Sequence, residues 1–295
     1  MEYGIDIYLG VTMPNIAIIT DTDSSMPFEV AARHSIYQVP MTVHFGEQSY
    51  EAVYAINDAD TFHRIDQEGR LPTTAAPSPG KFVSAYKNAF DAGAEQIICL
   101  CVSSEVSATY SAAVSATESF PGREIFVIDS RSLSMGLGYM ALAAAEAAEQ
   151  GASSAEIMAL VEEIRQRTHL FAALSTLKYL AMGGRVSNIS ATMASMLNIK
   201  PILTIRDGKL DLLEKVRTQK KAWDRVIELS ALKTNGKQIE KMCILHVNAP
   251  LMAEQFKTEI SSRMHCPKEM MFVEVTPGLS VHSGAGMVGT VFVLK

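Results

Sequence analysis

One pattern constrains the fold of this chain more than any other: an apolar stretch, then a loop rich in Gly, Ser and Thr, then a helical pattern. It occurs three times, beginning at the stretches NIAIIT (15–20), EQIICLCV (95–102) and EIFVID (124–129). Apolar strands that alternate with helices are typical of a parallel sheet whose two faces are both covered. The sequence therefore predicts an α/β fold.

A different pattern begins near residue 165. The segment 201–218 reads PILTIRDGKLDLLEKVRT, in which Asp207-Gly208 is a hairpin signal between two short strands. Helical patterns and apolar stretches then alternate up to the last residues. The predicted organisation is an N-terminal extension over 1–13, a parallel-sheet α/β domain over 14–165, and a second, α+β domain over 166–295.

Composition excludes several classes of function. Lys and Arg number 26 and Asp and Glu 32, so the formal net charge of −6 gives no general attraction to nucleic acid or anionic lipid. The N-terminus does not resemble a secretory signal, and the most apolar helical pattern, 133–148, is too short for a membrane span. Four cysteines without metal-ligand spacing indicate a reducing compartment. We expect a cytoplasmic protein without stable membrane insertion and without a nucleic-acid partner.

The loop after the first strand contains Asp21 and Asp23 in a D-x-D pattern. Phosphatases of the haloacid dehalogenase type use one such carboxylate as nucleophile and the other as acid and base, with further acids that hold Mg²⁺. No such further acidic element is present in the sequence. A DxD-type, Mg-dependent phosphatase is the alternative function, and a third interpretation is a polar turn whose Asp and Ser side chains cap backbone amides.

Near the C-terminus, GAGMVG at 284–289 matches the G-x-G-x-x-G pattern of dinucleotide-binding folds. Such a site needs a strand before the glycines, a helix after them and an acid at the end of the next strand. Only TVFVLK follows, so we exclude nucleotide binding and expect a tight turn. We expect neither a cofactor nor a metal.

Hydroxyl-rich loops precede two of the predicted helices. Ser104 and Ser107 follow the second apolar stretch, and Thr73 and Thr74 lie in a loop before another helix. Ligands of open α/β sheets lie beyond the carboxyl ends of strands, where helix N-termini attract anions. His282, in a Gly-rich turn, can contact such a ligand from the second domain. These segments predict an anion site in a cleft between the domains, with N-capping by Ser104 or Ser107 as the simpler alternative.

Taken together, these segments resemble the DegV family of bacterial fatty-acid-binding proteins. The resemblance rests on IAIITDTDSSMP, PTTAAPSPGKF, VSSEVSATYSAA and PGLSVHSGAGMVG, which occur in the family's order over about residues 14–295. It implies a two-domain protein that encloses a long-chain fatty acid such as palmitate in a tunnel between its domains. It also implies that Thr74 and Ser107 hold the carboxylate, with His282 as a third contact.

The resemblance further implies a partner. Family members present the bound acid to a separate fatty acid kinase, which forms the acyl-phosphate, and the binding protein has no known catalysis. This sequence departs from the family pattern where Ala75-Ala76 replace Ser-Gln and where Glu105 and Ala108 replace glycines. These departures bear on ligand preference and on the loops beside the head group.

Arg185 completes the candidate residues, together with Thr73 and Ser104. It follows the helical pattern LKYLAMGG. A guanidinium at this position can dock a partner, because guanidinium is favoured at phosphate and interface contacts. Alternatively it neutralises the last carbonyls of the helix.

Overall fold

A computed structural model describes residues 15–183 and 199–295 of the chain. Its strands and helices follow in the order β1 (Ile16–Asp21), α1 (Phe28–Arg33), β2 (Tyr37–Val39), β3 (Thr42–Phe45), β4 (Gln48–Glu51), α2 (Asp58–Glu68), β5 (Thr73–Ala75), α3 (Pro79–Asp91), β6 (Gln96–Cys101), α4 (Thr109–Thr117), β7 (Glu124–Asp129), α5 (Met135–Glu149), α6 (Ser154–Arg167), β8 (Thr168–Ala173), α7 (Lys178–Gly183), β9 (Lys200–Arg206), β10 (Lys209–Val216), α8 (Gln219–Thr234), β11 (Ile239–His246), α9 (Pro250–Arg263), β12 (Met271–Glu274), α10 (Pro277–Ser283) and β13 (Val288–Leu294).

Strands β2, β1, β6 and β7 form a parallel sheet in that order. Three of them are the apolar stretches found in the sequence, so the predicted α/β fold is confirmed. Side chains alternate between the two faces: Ile19, Cys99 and Cys101 pack with α3 and α4, whereas Ile98 and Leu100 face α5. The sulfur atoms of Cys99 and Cys101 lie 3.9 Å apart in this apolar core, so the pair fills space between sheet and helices.

Strands β10, β9, β8, β13, β11 and β12 form a mixed sheet, in which only the pair β11–β12 of the described strands is parallel. Asp207 and Gly208 join β9 to β10 with φ values of 51° and 82°. These left-handed values are what a two-residue hairpin requires, as the sequence predicts. The outer face of the sheet packs on α8 and α9 in one apolar cluster, which includes Phe292, Trp223 and Phe256. The domain boundary at residue 165 stays a prediction.

Helix α5 lies between the two sheets and contacts strands of both. Twelve of its fifteen residues are buried. Small residues permit this close packing, because a Cβ at Gly138 would lie 3.0 Å from the carbonyl oxygen of Ser24 and 2.8 Å from the Met135 sulfur. The Ala- and Gly-rich pattern therefore reflects burial on all sides inside the protein. Among the described residues, no helix combines the length and the apolar character that a bilayer crossing requires.

The chain also forms a small antiparallel sheet of order β4-β3-β5 that the sequence pattern does not predict. The sequence indicates a loop around Thr73 and Thr74, whereas the structure has strand β5 there. A strand of three residues is too short to show a period of two, so its pairing with β3 decides its conformation. This strand has a consequence for the site, because Thr73 and Thr74 point to opposite sides of it.

Candidate functional site

A cavity of about 300 Å³ lies between the two sheets, next to the start of α5. The mixed sheet lines it with aliphatic side chains that include Leu170, Leu203, Leu210 and Leu245. The volume is within the range of small-molecule sites, whose walls are mostly apolar with a few polar groups that orient the ligand.

The polar groups that line the cavity come from other elements. They are Asp23 after β1, Ser107 after β6, Ser134 after β7, Thr74 on β5, and His282 and Ser283 on α10. The first three follow neighbouring strands of the parallel sheet at their carboxyl ends. Open α/β sheets bind ligands at this edge, because helix N-termini and loop side chains gather there.

Thr74 and His282 meet in the cavity wall although 208 residues separate them in sequence. The Thr74 hydroxyl and the Nε2 atom of His282 are 2.9 Å apart and form a hydrogen bond. Helix α10, which carries His282, is held against the loop after β1: the Thr276 hydroxyl donates a 2.8 Å hydrogen bond to the carbonyl oxygen of Thr22. The structure therefore brings together two of the predicted head-group residues.

The local conformation around His282 differs from the expected Gly-rich turn. His282 lies in the last turn of α10, which begins at Pro277 and ends before Gly284. Proline favours the first position of a helix, and Gly284, with φ of 82°, accommodates the chain reversal after it. Gly286 has the same φ, so the glycines form a tight turn before β13, as the sequence predicts.

Ser107 also lines the cavity, and its hydroxyl has a second role. The Ser107 oxygen lies 2.8 Å from the Thr109 hydroxyl and accepts a 3.3 Å hydrogen bond from the Thr109 backbone N–H. Thr109 is the first residue of α4. Ser107 therefore satisfies a backbone donor at the start of the helix while it is half-buried at the cavity wall. The N-cap residue of α4 is Ala108, so neither Ser104 nor Ser107 takes the predicted N-cap position.

Two candidate residues do not line the cavity, and a third is not described by the structure. Ser104 does not line the cavity: its hydroxyl donates a 2.6 Å hydrogen bond to Asp129, at the end of β7. Thr73 is exposed on the side of β5 away from the cavity, whose lining includes Thr74 and Ala76 instead. Arg185 lies outside the described residues.

Asp21, one of the two acids of the phosphatase alternative, is fully buried. One of its carboxylate oxygens accepts a 2.7 Å hydrogen bond from the Val102 N–H, and the other accepts a 2.9 Å bond from the Asp23 N–H. Burial raises the pKa of Asp21 to about 7, although the N–H groups of Val102 and Asp23 oppose the shift. The hydrogen bonds of the Asp21 carboxylate thus connect the end of β1 to the residue after β6, and they stabilise the loop that contains Asp23. In residues 15–183 and 199–295, no group of three or more potential ligands could hold a metal ion. The phosphatase alternative finds no support.

The sequence did not single out two of the polar residues that line the cavity, Ser134 and Ser283. It suggested roles for Asp23 only in the phosphatase alternative or in a polar turn, and not at a head-group site. Ser134 stands before a helix and after an apolar strand, which is the same signal that singled out Ser107. Asp23 is 2% exposed and lies against α10, where a Cβ at Gly278 would come within 2.1 Å of its Oδ1 atom. Only glycine allows α10 to approach the loop after β1 this closely.

Fold and cavity define an α/β protein with a mostly apolar cavity between a parallel and a mixed sheet. The chain matches the family model described as "Uncharacterised protein, DegV family" over residues 15–295. It is 32% identical over 277 residues to a DegV domain-containing protein of Halalkalibacterium halodurans, a match that covers 94% of this chain and 98% of the relative. A DegV domain-containing protein of Streptomyces coelicolor is 33% identical with the same coverage. The chain belongs to the DegV family.

Solved structures of the family share the fold. A DegV family protein from Thermus thermophilus, described by its fatty acid binding, superposes with a TM-score of 0.85 at 27% identity. DegV from Bacillus subtilis, described as a fatty acid binding protein, has the same TM-score and identity. Each match covers 96% of this chain and 100% of the other.

Proposed function

We propose that this protein binds a long-chain fatty acid in the cavity between its sheets, and that Thr74, Ser107 and His282 hold the carboxylate. The observation that carries the proposal is the 2.9 Å hydrogen bond between Thr74 and His282 in a cavity that Ser107 also lines. The Thermus and Bacillus proteins, which are described as binding fatty acids, support it.

The two kinds of cavity wall suit the two ends of such a ligand. Burial of a sixteen-carbon chain contributes roughly 11 kcal/mol at about 0.8 kcal/mol per methylene, before the cost of immobilisation. A hydrogen bond to a charged acceptor adds about 1.5–3 kcal/mol. The leucines of the mixed sheet therefore supply most of the affinity, and the hydroxyls and the imidazole orient the carboxylate.

We also propose that the bound acid is presented to a separate fatty acid kinase. Thr74, Ser107 and His282 are each half-buried, whereas Leu203 and Leu245 of the apolar wall are buried. A partner can therefore approach the head group from solvent while the chain stays covered. No Lys or Arg is among the described residues that line the cavity.

We further propose that the chain has the two domains that the sequence predicts. They are an α/β domain over 14–165 and an α+β domain over 166–295. The distribution of strands supports it, since those of the parallel sheet end at Asp129 and those of the mixed sheet begin at Thr168.

Native mass spectrometry of protein purified from bacteria, followed by titration of the delipidated protein with palmitate, tests binding. Thr74→Ala and His282→Ala should each weaken palmitate binding by about 1–3 kcal/mol, because each removes one bond to a charged acceptor while chain burial persists. Thr73→Ala is the matched control on the far side of β5 and should bind as the unmodified protein does. An empty protein with Mg²⁺-dependent phosphatase activity that Asp21→Asn abolishes would overturn the proposal.

A transfer assay tests the proposal that the bound acid is presented to a fatty acid kinase. With a fatty acid kinase and ATP supplied, Thr74→Ala, Ser107→Ala and His282→Ala should impair acyl-phosphate formation more than total lipid retention, because head-group placement changes while the chain stays buried. If all three variants hand over acyl chains at the parent rate, these residues do not form the head-group site.

A further inference from the structure

Ser134 has an unusual backbone conformation at the cavity wall. It immediately precedes α5, with φ of 48° and ψ of −145°, a combination that few residues other than glycine adopt. Its N–H donates a 2.7 Å hydrogen bond to the carbonyl oxygen of Asp23, and its own carbonyl accepts a 3.0 Å bond from the Gly138 N–H. Because both backbone groups are bonded, the surroundings hold Ser134 in this conformation.

The side chain of Ser134 is 1% exposed, and its hydroxyl has no hydrogen-bond partner among the described residues. A buried polar group without a partner is rare and destabilises the folded state. The other two serines of the cavity wall differ, since Ser107 is bonded to Thr109 and the Ser283 hydroxyl donates a 3.3 Å bond to the Ser280 carbonyl. Ser134 alone among these three serines thus retains an unused donor.

The position of Ser134 indicates what kind of acceptor suits this donor. Ser107 and Ser134 follow the adjacent strands β6 and β7, so both lie at the carboxyl edge of the parallel sheet. Ser134 also stands at the N-terminus of the fifteen-residue helix α5, where the helix dipole favours negative charge. Two independent features, an unused buried donor and a helix N-terminus, therefore point to an anionic oxygen.

We propose that Ser134 is a further head-group residue, whose hydroxyl donates a hydrogen bond to a carboxylate oxygen of the bound fatty acid. This inference rests on the proposed function, because the acceptor belongs to the acyl ligand. A carboxylate has two oxygens with several lone pairs, so it can accept from Ser134 in addition to Thr74, Ser107 and His282.

Stability and affinity should change in different directions when this hydroxyl is removed. In the ligand-free protein, Ser134→Ala eliminates a buried donor without a partner, so the melting temperature should stay the same or rise. The same substitution should weaken palmitate binding about 10- to 100-fold, because one bond to a charged acceptor is lost. A residue with a purely structural role would instead lower the melting temperature of the ligand-free protein.

The experiment compares palmitate with hexadecanol on delipidated protein. Ser134→Ala and Ser134→Gly should lose affinity for palmitate and much less for the uncharged alcohol. Ser130→Ala, which removes a buried and already bonded hydroxyl from the same loop but outside the cavity wall, serves as the control. Glycine suits the φ of 48°, so Ser134→Gly remains informative if the alanine variant folds poorly.

Two results would overturn the inference: unchanged palmitate affinity in both Ser134 variants, or equal losses for palmitate and hexadecanol. Either would leave the proposed function standing, provided that the unmodified protein binds palmitate. If the unmodified protein binds neither probe, the proposed function fails and this inference fails with it.

Discussion

The two sheets contribute different kinds of wall to one cavity. The parallel sheet ends there in loops that present Asp23, Ser107 and Ser134, whereas the mixed sheet presents the faces of its strands, with Leu170 and Leu203. Strand ends lead into helix N-termini and polar loops, and strand faces offer side chains at a period of two. The difference teaches that one cavity draws these polar groups and these leucines from different halves of the molecule.

Strand β8 illustrates how a strand face forms the apolar wall. Leu170 and Ala172 face the cavity, while Phe171 and Ala173 pack on the opposite side with α8. The same strand thus completes the core of the mixed sheet and lines the cavity. A change confined to the cavity side should therefore alter ligand binding more than folding.

The largest expected effect comes from obstruction of the apolar wall. Ala172→Phe should place a ring in the space of about four methylenes, so palmitate affinity should fall by about 3 kcal/mol, or roughly 100-fold. Octanoate, which needs less of the cavity, serves as the internal control and should lose much less. Titration of both acids decides the matter, and equal losses for the two would contradict the division of the cavity into a polar and an apolar wall.

A buried acid beside the polar wall gives the next largest effect, about 2.8 kcal/mol between pH 5 and pH 8. Asp58 at the start of α2 is 2% exposed, and burial raises its pKa to about 7, with the Ser280 hydroxyl opposing the shift. The unfolded chain, whose Asp58 has a pKa near 3.8, loses this proton first. The contribution of Asp58 to the free energy of unfolding is therefore fully present below about pH 4. It decreases by about 1.4 kcal/mol per pH unit up to about pH 7 and stays constant above that pH.

Asp58→Asn should abolish this part of the pH dependence and stabilise the protein at pH 8 relative to the unmodified chain. Urea unfolding at pH 5 and pH 8 measures it. Asp60→Asn is the matched control, because Asp60 is an exposed acid in the first turn of the same helix, and it should leave the dependence in place. A pH profile that Asp58→Asn does not alter would show that this carboxyl does not titrate differently in the folded state.

A smaller effect separates two residues of the polar wall. Ser107→Ala should lower the stability of the ligand-free protein by about 1 kcal/mol, because the Thr109 N–H at the start of α4 loses its acceptor. Thr74→Ala removes only the half-buried contact with His282 and should cost less. Denaturant midpoints compare the two variants, and a larger loss in Thr74→Ala would reverse the ranking.

The smallest effect concerns the contact between the two halves at the β9–β10 hairpin. Glu105, beside Ser107, lies 3.7 Å from Arg131 and 3.4 Å from Lys209 of the hairpin, and Arg131 donates a 3.0 Å bond to the Asp207 carbonyl. Exposed ion pairs contribute at most about 1 kcal/mol, so Glu105→Gln should speed palmitate release by at most about fivefold.

The difference should disappear in about 1 M salt, because screening removes such interactions. Asp211→Asn is the control, since the 3.2 Å pair of Asp211 with Arg206 stays within the hairpin. Stopped-flow release of palmitate measures all three proteins. Equal acceleration in the control would show that the effect is not due to the contact between the halves.

Much of the fold could be predicted because its signals are local. The apolar stretches became β1, β6 and β7, the Asp207-Gly208 turn became a hairpin, and Pro79 begins α3 where its fixed φ is favourable. The small sheet could not be predicted, because its strands of three and four residues are specified by their neighbours. The buried position of α5 could not be inferred either, since an Ala-rich pattern does not say which elements cover it.

The sequence by itself determined which residue types stand at strand ends and helix starts, and these residue types predict an anion site at the carboxyl edge of the parallel sheet. Only the tertiary structure decided which of these residues share the cavity. Thr74 faces it and Thr73 does not, because pairing with β3 sets the alternation of side chains along β5. His282 joins Thr74 because Gly278 lets α10 approach the loop after β1, which is a contact between distant parts of the chain that no local pattern encodes.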